Sequence, residues 1–366
     1  MLLAPLNTIP QDIVCAADYE RHASDHMDPA AWAYLQGGAA DELTISANAN
    51  AWQERLLLPK ALVDVRGGHT RCTLFGDTLA HPILLAPVAT QGLFHPEGEL
   101  ASVLAAHVMN GIAVASTQAS ISLEEIASQS QGLLWFQLYW QGNREATLAL
   151  VRRAEMAGYR ALIITVDAPI SGARNREQRA GFKVPENFTK VNVQAPVLPV
   201  LSDSNMSSVF DQYMHLAPTW KDIKWLIGET KLPVLLKGVL HPEDARKAID
   251  MGASGIVVSN HGGRVLDTTP ATAAVLPAIV SAVNRTVPIL VDGGIRRGTD
   301  VLKARALGAT AVMIGRPYIH ALATAGALGV AHLIRLMREE LEIAMALCGC
   351  KTLDDIKPQV LLTAHQ

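Results

Sequence analysis

The chain contains 366 residues, of which 49% are hydrophobic and 18% charged, so its composition predicts a globular protein with a large core and excludes intrinsic disorder. Lysine and arginine number 31 against 34 aspartate and glutamate residues. The resulting net charge of -3 provides no basic surface for a polyanion, and we therefore expect no nucleic-acid partner.

The N-terminus and the cysteines indicate a cytoplasmic protein. The opening MLLAPLNTIPQD has neither the basic region nor the long apolar run of a signal peptide. The cysteines are Cys15, Cys72, Cys348 and Cys350, and the Cys-Gly-Cys pair lacks the two-residue spacer of zinc and redox motifs. No spacing of His, Asp and Glu resembles a metal-ligand set, so we expect no metal.

Residues 1–80 form an N-terminal extension with helical patterns at 29–35 and 41–56. After it, eight short and continuously apolar runs predict parallel strands buried on both faces, at 83–86, 112–115, 133–138, 161–166, 234–236, 256–258, 289–291 and 311–314. Helical patterns separate most of them, at 97–110, 123–128, 145–158, 242–251, 271–283 and 299–307. Eight β/α units predict a single-domain (β/α)8 TIM barrel over residues 1–366.

One gap in the strand spacing predicts a long insertion after strand four. About 70 residues separate the fourth and fifth strand starts, against 21 to 33 elsewhere. The stretch 181–208 is rich in Ser and Asn and contains Pro185, Pro196 and Pro199, which indicates a loop within an inserted region at about 181–232. Loops of this length in compact domains are usually functional.

A stretch near the C-terminus tests whether the chain spans a membrane. Between Arg316 and Arg335 lie 18 residues without a charged side chain, close to the length needed for a span. The stretch contains Pro317, His320 and Gly326, and its apolar bulk is mostly alanine, so its transfer into lipid would be poor. We predict a helix packed in the protein and no membrane span.

Polar residues follow nearly every predicted strand, at the barrel rim where reactive groups usually lie. In chain order these strand ends are residues 87–91, 116–118, 137–139, 165–167, 237–238, 259–264, 292–297 and 315–316. Loops are polar in general, so any one of them could be structural. The presence of polar residues at all eight strand ends favours a functional site at this rim.

The seventh and eighth strand ends predict a phosphate site. Gly293 and Gly294 allow the backbone to approach a ligand closely, and Arg296 and Arg316 can pair with a dianion. These are the loops at which barrels commonly bind phosphate. The structural alternative is a glycine turn beside two solvated arginines.

Lys237 and His261 are the candidate reactive groups. A lysine at a strand end can form a Schiff base, as in barrel aldolases, or act as a fixed positive charge beside an electron-accepting ring. His261 can be a core histidine, a metal ligand or a general base. Asp167, which ends another strand, and Arg264, which suits a carboxylate, favour the general base.

Three motifs carry a resemblance that spans nearly the whole chain. They are SNHGGRVLD at 259–267, DGGIRRGTD at 292–300 and IGRP at 314–317. With these motifs the chain resembles the FMN-dependent α-hydroxy acid oxidase and dehydrogenase family, which includes glycolate oxidase and lactate oxidase. The resemblance implies a homo-oligomer, a tetramer in this family.

The resemblance assigns roles residue by residue. It implies that His261 is the catalytic base, Asp167 its partner, Lys237 the cation beside the flavin and Tyr139 a further active-site group. The substrate-binding residues it implies are Tyr34, Gln118, Tyr139, Arg174 and Arg264. The FMN-binding residues it implies are Pro87, Val88, Ala89, Ser116, Gln137, Thr165, Lys237, Ser259, Asp292, Gly294, Arg296, Gly315 and Arg316.

The implied function is oxidation of an L-2-hydroxy acid to the 2-oxo acid, with dioxygen as the expected acceptor and hydrogen peroxide as its product. The insertion has ordinary oxidase length, with one apolar patch at 195–201. A dehydrogenase that passes electrons to a quinone or another carrier stays an alternative, as do a Schiff-base aldolase and a non-catalytic scaffold. Gln118 stands where glycolate oxidase has a bulky aromatic residue, so we expect substrates longer than glycolate.

Overall fold

The computed structural model describes residues 2–185, 188, 191–193, 198–201 and 205–362. Pro196 and residues 195–197 of the predicted apolar patch therefore lie outside the described residues. The N-terminal extension contains α1 (Ala16–His26), α2 (Pro29–Gln36), α3 (Leu43–Gln53) and an antiparallel hairpin of β1 (Cys72–Leu74) and β2 (Asp77–Leu79).

Eight parallel strands then close into a barrel, in which the last strand pairs with the first. They are β3 (Ile83–Leu85), β4 (Ile112–Ser116), β5 (Leu133–Leu138), β6 (Leu162–Thr165), β7 (Val234–Val239), β8 (Gly255–Val258), β9 (Ile289–Val291) and β10 (Ala311–Ile314). Nearly every strand residue is buried, as expected when helices cover the outer face and side chains fill the interior. The predicted (β/α)8 TIM barrel is confirmed.

The helices that follow the strands form the outer layer of the barrel. They are α4 (Gly98–Val108), α5 (Leu123–Gln129), α6 (Arg144–Met156), α7 (Asn175–Arg179), α8 (Trp220–Glu229), α9 (Pro242–Asp250), α10 (Thr272–Val283), α11 (Gly298–Ala306) and α12 (Arg316–Leu347). The insertion after β6 holds α7, a π-helical turn at Ser208–Tyr213 and α8. Only part of the 181–232 insertion is therefore loop.

Helices α1 and α8 were not predicted, and each begins with a capping box. Asp18 accepts hydrogen bonds from the backbone N–H groups of Val14 and Cys15 at 2.9 and 2.8 Å, and Asp222 accepts one from Thr219 N at 2.9 Å. Helix α1 packs on α12, where Tyr19 OH and His332 Nδ1 lie 2.8 Å apart.

Helix α12 contains the stretch that resembles a membrane span. Among the described helices, α12 alone is long and apolar enough to cross a bilayer. However, 67% of its apolar stretch is buried inside the protein. The helix breaks at Ala325 and Gly326, and a Cβ at Gly326 would lie 2.8 Å from His95 Nε2. The prediction of a packed helix is confirmed, since α1, α4 and α11 each pack against α12.

Candidate active site

A cavity of about 370 Å³ opens at the carboxyl ends of the barrel strands. Residues from the carboxyl ends of all eight strands, or from the loops that follow them, line it, as the polar rim of the sequence predicts. Helices α2 and α3 of the N-terminal extension supply the rest of the wall, through Tyr34, Leu35, Ile45, Asn48 and Ala49. The extension is therefore part of the site.

His261 is held between a carboxylate and a phenol. Its Nδ1 lies 3.0 Å from Asp167 Oδ1, and its Nε2 lies 3.4 Å from the Tyr139 hydroxyl. The residue adopts a left-handed backbone conformation, with φ of +57°. Because Asp167 accepts a hydrogen bond from Nδ1–H, Nε2 carries the free lone pair, on the side of the ring near the Tyr139 hydroxyl.

The charges around His261 favour a neutral imidazole. Burial and the Lys237 ammonium lower the pKa of His261, and Asp167 opposes them without reversing the shift. Burial alone would raise the pKa of Asp167, but His261 and Lys237 lower it, so this carboxylate is ionised. Burial and the Asp167 charge raise the pKa of Tyr139 and keep its hydroxyl protonated. The histidine is thus ready to accept a proton beside a fixed anion.

Lys237 is a buried ammonium with two partners. Its Nζ donates to Ser259 Oγ at 2.9 Å and lies 3.3 Å from Asp292 Oδ2. Burial alone would lower the pKa of Lys237, but Asp292 and Asp167 raise it, so the group stays charged. A charged lysine is not a Schiff-base nucleophile, because that chemistry needs a neutral amine.

Ser259 lies behind the two reactive groups. It is fully buried, and its Oγ also accepts a hydrogen bond from the His261 backbone N–H at 3.0 Å. One hydroxyl therefore positions both Lys237 and His261, and the flavin contact that the resemblance implies for Ser259 stays a prediction.

Arg174 and Arg264 converge on the same side of the cavity. The Arg264 guanidinium donates to the carbonyls of Tyr34 and Gly37 at 2.6 and 2.8 Å and lies 4.8 Å from the centre of the Tyr34 ring. Arg174 donates to Glu177 at 3.3 Å, and its buried Nε has no partner among the described residues. The pair retains N–H groups that could bind an incoming carboxylate, and the substrate-binding role stays a prediction.

Replacing Arg174 or Arg264 with lysine should raise the dissociation constant of a 2-hydroxy acid by on the order of 10- to 100-fold, since lysine cannot form a two-bond fork. The measurement is the substrate dependence of anaerobic flavin reduction. The matched uncharged 2-hydroxy amide is the control. An equal loss for acid and amide would mean that the arginines only support the fold.

The loops after β9 and β10 form a cationic end of the cavity. Burial together with Arg264 and Arg296 lowers the pKa of Arg316 to about 9, and a bound anion would offset this repulsion between cations. The Arg316 guanidinium donates to the carbonyls of Leu35, Gly262 and Gly37 at 2.8 to 2.9 Å, which leaves two N–H groups free among the described residues. Arg296 pairs with Glu20 at 3.2 Å.

The same end of the cavity has room for a ligand and an acceptor for ribityl hydroxyl groups. A Cβ built at Gly315 meets nothing within 4 Å, whereas one at Gly294 would lie 2.4 Å from Asn48 O. Gly294 is therefore required by its contact with α3 as well as by its φ of +79°. Asp292 Oδ1 is buried without a hydrogen-bond partner among the described residues, so it is available to a ligand hydroxyl.

The first strands supply the opposite wall. Pro87, Val88, Ala89 and Ser116 line the cavity. Gln137 and Thr165 are buried behind them: Gln137 Oε1 accepts from Ser116 Oγ at 3.3 Å, and Gln137 Nε2 donates to Thr165 Oγ1 at 2.9 Å. Of the residues that the resemblance assigns to FMN, all line the cavity except Gln137, Thr165 and Ser259, which are buried beside it. The FMN ring would supply the electron-accepting chemistry of the site.

Sequence reasoning missed several groups that build the site. Asn48 and Asn260 exchange two amide hydrogen bonds at 2.9 and 2.8 Å and join α3 to the loop that carries His261. Trp52 Nε1 donates to Gly293 O at 2.8 Å. Phe182 stacks on Tyr34 at 4.5 Å between ring centres. No local sequence pattern predicts any of these contacts, although Asn260 lies within the motif at 259–267.

The chain is similar to flavoenzymes over almost its whole length. A model of the family described as FMN-dependent dehydrogenase matches residues 23–363. L-lactate oxidase of Alicycliphilus denitrificans is 47% identical over 364 residues, covering 98% of this chain and 99% of that protein. Glycolate oxidase 3 of Arabidopsis thaliana is 40% identical over 348 residues, covering 94% of this chain and 95% of that protein. The crystal structure of mandelate oxidase with (S)-2-phenylpropionate has a TM-score of 0.86 and 44% identity, covering 95% of this chain and 98% of the other.

Fold, cavity and charge arrangement together define a cofactor-dependent barrel oxidoreductase. The chain belongs to the FMN-dependent dehydrogenase family, among the 2-hydroxy acid oxidases. It is an enzyme that uses FMN and acts on CH–OH groups. This result excludes the aldolase and the non-catalytic scaffold.

Proposed function

We propose that the enzyme oxidises an L-2-hydroxy acid to the 2-oxo acid with dioxygen as the electron acceptor, so that hydrogen peroxide is the second product. The observation that carries this proposal is the position of His261 Nε2, 3.4 Å from the Tyr139 hydroxyl, with Nδ1 on Asp167. A base in this setting can remove a hydroxyl proton, and the two arginines nearby suit the carboxylate next to that hydroxyl.

Each residue then has a defined task. Arg174 and Arg264 bind the substrate carboxylate and so orient the Cα. His261 takes the hydroxyl proton at Nε2, and the Asp167 anion stabilises the imidazolium that forms. Tyr139 stays protonated and donates a hydrogen bond toward the substrate oxygen. FMN, when bound, would supply the acceptor of the Cα hydrogen and of the two electrons.

The choice of dioxygen and of the L isomer is supported by the relatives. The names L-lactate oxidase and (S)-2-hydroxy-acid oxidase describe proteins that are 42 to 48% identical to this chain. The described part of the insertion after β6 returns to the barrel through the π-helical turn at Ser208–Tyr213 and α8. A carrier such as a quinone is the alternative acceptor.

Several features support substrates longer than glycolate. Gln118 lines the cavity, and its side-chain amide forms no hydrogen bond within the described residues. Tyr34 and Phe182, stacked at 4.5 Å, form an aromatic wall of the same cavity. A flexible amide and stacked rings on the wall of one cavity suit an apolar substituent on Cα.

Replacing Gln118 with Trp should shift the preference from longer 2-hydroxy acids toward glycolate by roughly 10- to 200-fold, since the indole excludes one or more methylene groups. The measurement is kcat/KM for glycolate, lactate, 2-hydroxyoctanoate and mandelate. Gln129→Trp, which places the same indole at an exposed position on α5, is the control. If the four acids keep the same order of kcat/KM in Gln118→Trp, residues on another wall of the cavity determine the specificity.

The function is tested with the purified holoenzyme. Anaerobic addition of the same four acids should bleach the flavin absorbance, and admission of air should restore it with one peroxide formed per 2-oxo acid. Bleaching without restoration by air, followed by restoration with a quinone, would identify a dehydrogenase. No bleaching by any 2-hydroxy acid would contradict the proposal.

A further inference from the structure

Glu177 lies where the substrate carboxylate is expected to bind. Its Oε2 is 3.3 Å from an Arg174 terminal nitrogen and 3.9 Å from an Arg264 terminal nitrogen. It also lines the cavity, where a second carboxylate of the described wall, Asp292, is paired with Lys237. An internal carboxylate thus contacts both guanidinium groups that the proposed function assigns to the substrate.

The backbone around Glu177 is firmly attached to the rim. A Cβ at Gly172 would lie 2.1 Å from Val265 O, so only glycine allows this approach to the loop that follows β8. Ala40 N donates to Ala173 O at 2.6 Å, and Arg176 forms an ion pair with Glu42. Because the backbone is held, Glu177 can leave the arginines by side-chain rotation alone.

The two arginines depend on Glu177 to different extents. Arg264 is positioned by the Tyr34 and Gly37 carbonyls and by the Tyr34 ring, without Glu177. Arg174 has Glu177 as its side-chain partner in the described part of the chain, and its Nε is buried and unpaired. A carboxylate that enters therefore meets an unused donor on Arg174 and a competing anion beside it.

We propose that Glu177 is an exchangeable counter-ion, which the substrate carboxylate displaces on binding and which returns to the arginines as the 2-oxo acid leaves. The inference rests on the proposed function, because it takes the two arginines as the carboxylate site. Substrate and product carry the same carboxylate, so two uncompensated arginines would hold both equally and slow the release of product. Because Glu177 competes for the two arginines, it weakens the binding of both substrate and product.

The test compares Glu177→Gln and Glu177→Ala holoenzymes with wild type. The Glu177→Gln change keeps an oxygen that accepts from Arg174 but removes the charge. We expect this variant to bind the 2-oxo acid product of the best substrate, pyruvate in the case of lactate, about tenfold more tightly by flavin absorbance titration. Binding of the matched neutral 2-oxo amide should not change. KM for the acid should fall, and inhibition by the 2-oxo acid should become stronger.

Glu124→Gln is the matched control, because it removes an arginine-paired carboxylate from α5, away from the cavity. Product affinity in Glu177→Gln that equals or falls below wild type would overturn the proposal and leave Glu177 as support for Arg174. If the flavin is reduced by 2-hydroxy acids but their 2-oxo acids do not bind to wild type, this inference fails alone. If 2-hydroxy acids do not reduce the flavin and 2-oxo acids do not bind, both this inference and the proposed function fail.

Discussion

Replacing His261 with alanine should leave FMN bound but slow anaerobic flavin reduction by the best 2-hydroxy acid on the order of 10²- to 10⁴-fold, the usual cost of losing a general base. The expectation rests on the 3.0 Å contact of Nδ1 with Asp167, which leaves Nε2 as the proton acceptor. Stopped-flow absorbance at saturating substrate measures the loss directly.

His22→Ala is the control, since His22 pairs with Asp12 on the N-terminal extension and does not line the cavity. The variant His261→Ala should keep the flavin spectrum and the thermal stability of the holoenzyme. Reduction at a rate close to wild type would show that His261 is not the base and would leave Tyr139 as the group to test.

Replacing Lys237 with methionine should slow flavin reduction by on the order of 10²-fold or more and weaken the binding of sulfite to the flavin, because both processes place negative charge on the ring. The ammonium is buried and bonded to Ser259 at 2.9 Å, so it is a fixed charge that needs no reorganisation during the reaction. Titration with sulfite measures the effect of this charge on the flavin without any catalytic turnover.

Lys237→Arg is the matched variant, since it retains the charge that Asp292 and Asp167 require. We expect Lys237→Arg to keep most of the sulfite affinity that Lys237→Met loses. Loss of a buried partner also destabilises the fold by about 3 to 5 kcal/mol, so the melting temperature of each holoenzyme is measured in parallel. Unchanged sulfite affinity in Lys237→Met would place the ammonium away from the ring.

The motif residues that the sequence singled out include some whose main task is structural. Asp267 accepts hydrogen bonds from the backbone N–H groups of Asp41, Leu43 and Thr44 and so holds the start of α3 against the loop after β8. Asp300 accepts from the N–H groups of Arg296 and Arg297, both at 3.0 Å, and so orients the loop after β9. A single motif thus contains residues that line the cavity and residues that hold the surrounding loops in place.

The amino-acid sequence by itself determined the barrel and its reactive rim. Short apolar runs separated by helical periods are local signals, and the burial of parallel strands on both faces makes them continuous. The end of each strand then marks a position on one rim, so His261, Asp167, Lys237 and Arg264 could be grouped before any contact was known.

Only the tertiary structure decided how those groups are paired. Asn48 and Asn260 are 212 residues apart in the chain, and Arg316 reaches carbonyls of α2 that are about 280 residues away. Such contacts depend on how loops and the N-terminal helices pack, and no periodicity or propensity records them. The place of Glu177 between two arginines, and the sharing of Ser259 by Lys237 and His261, follow from that packing.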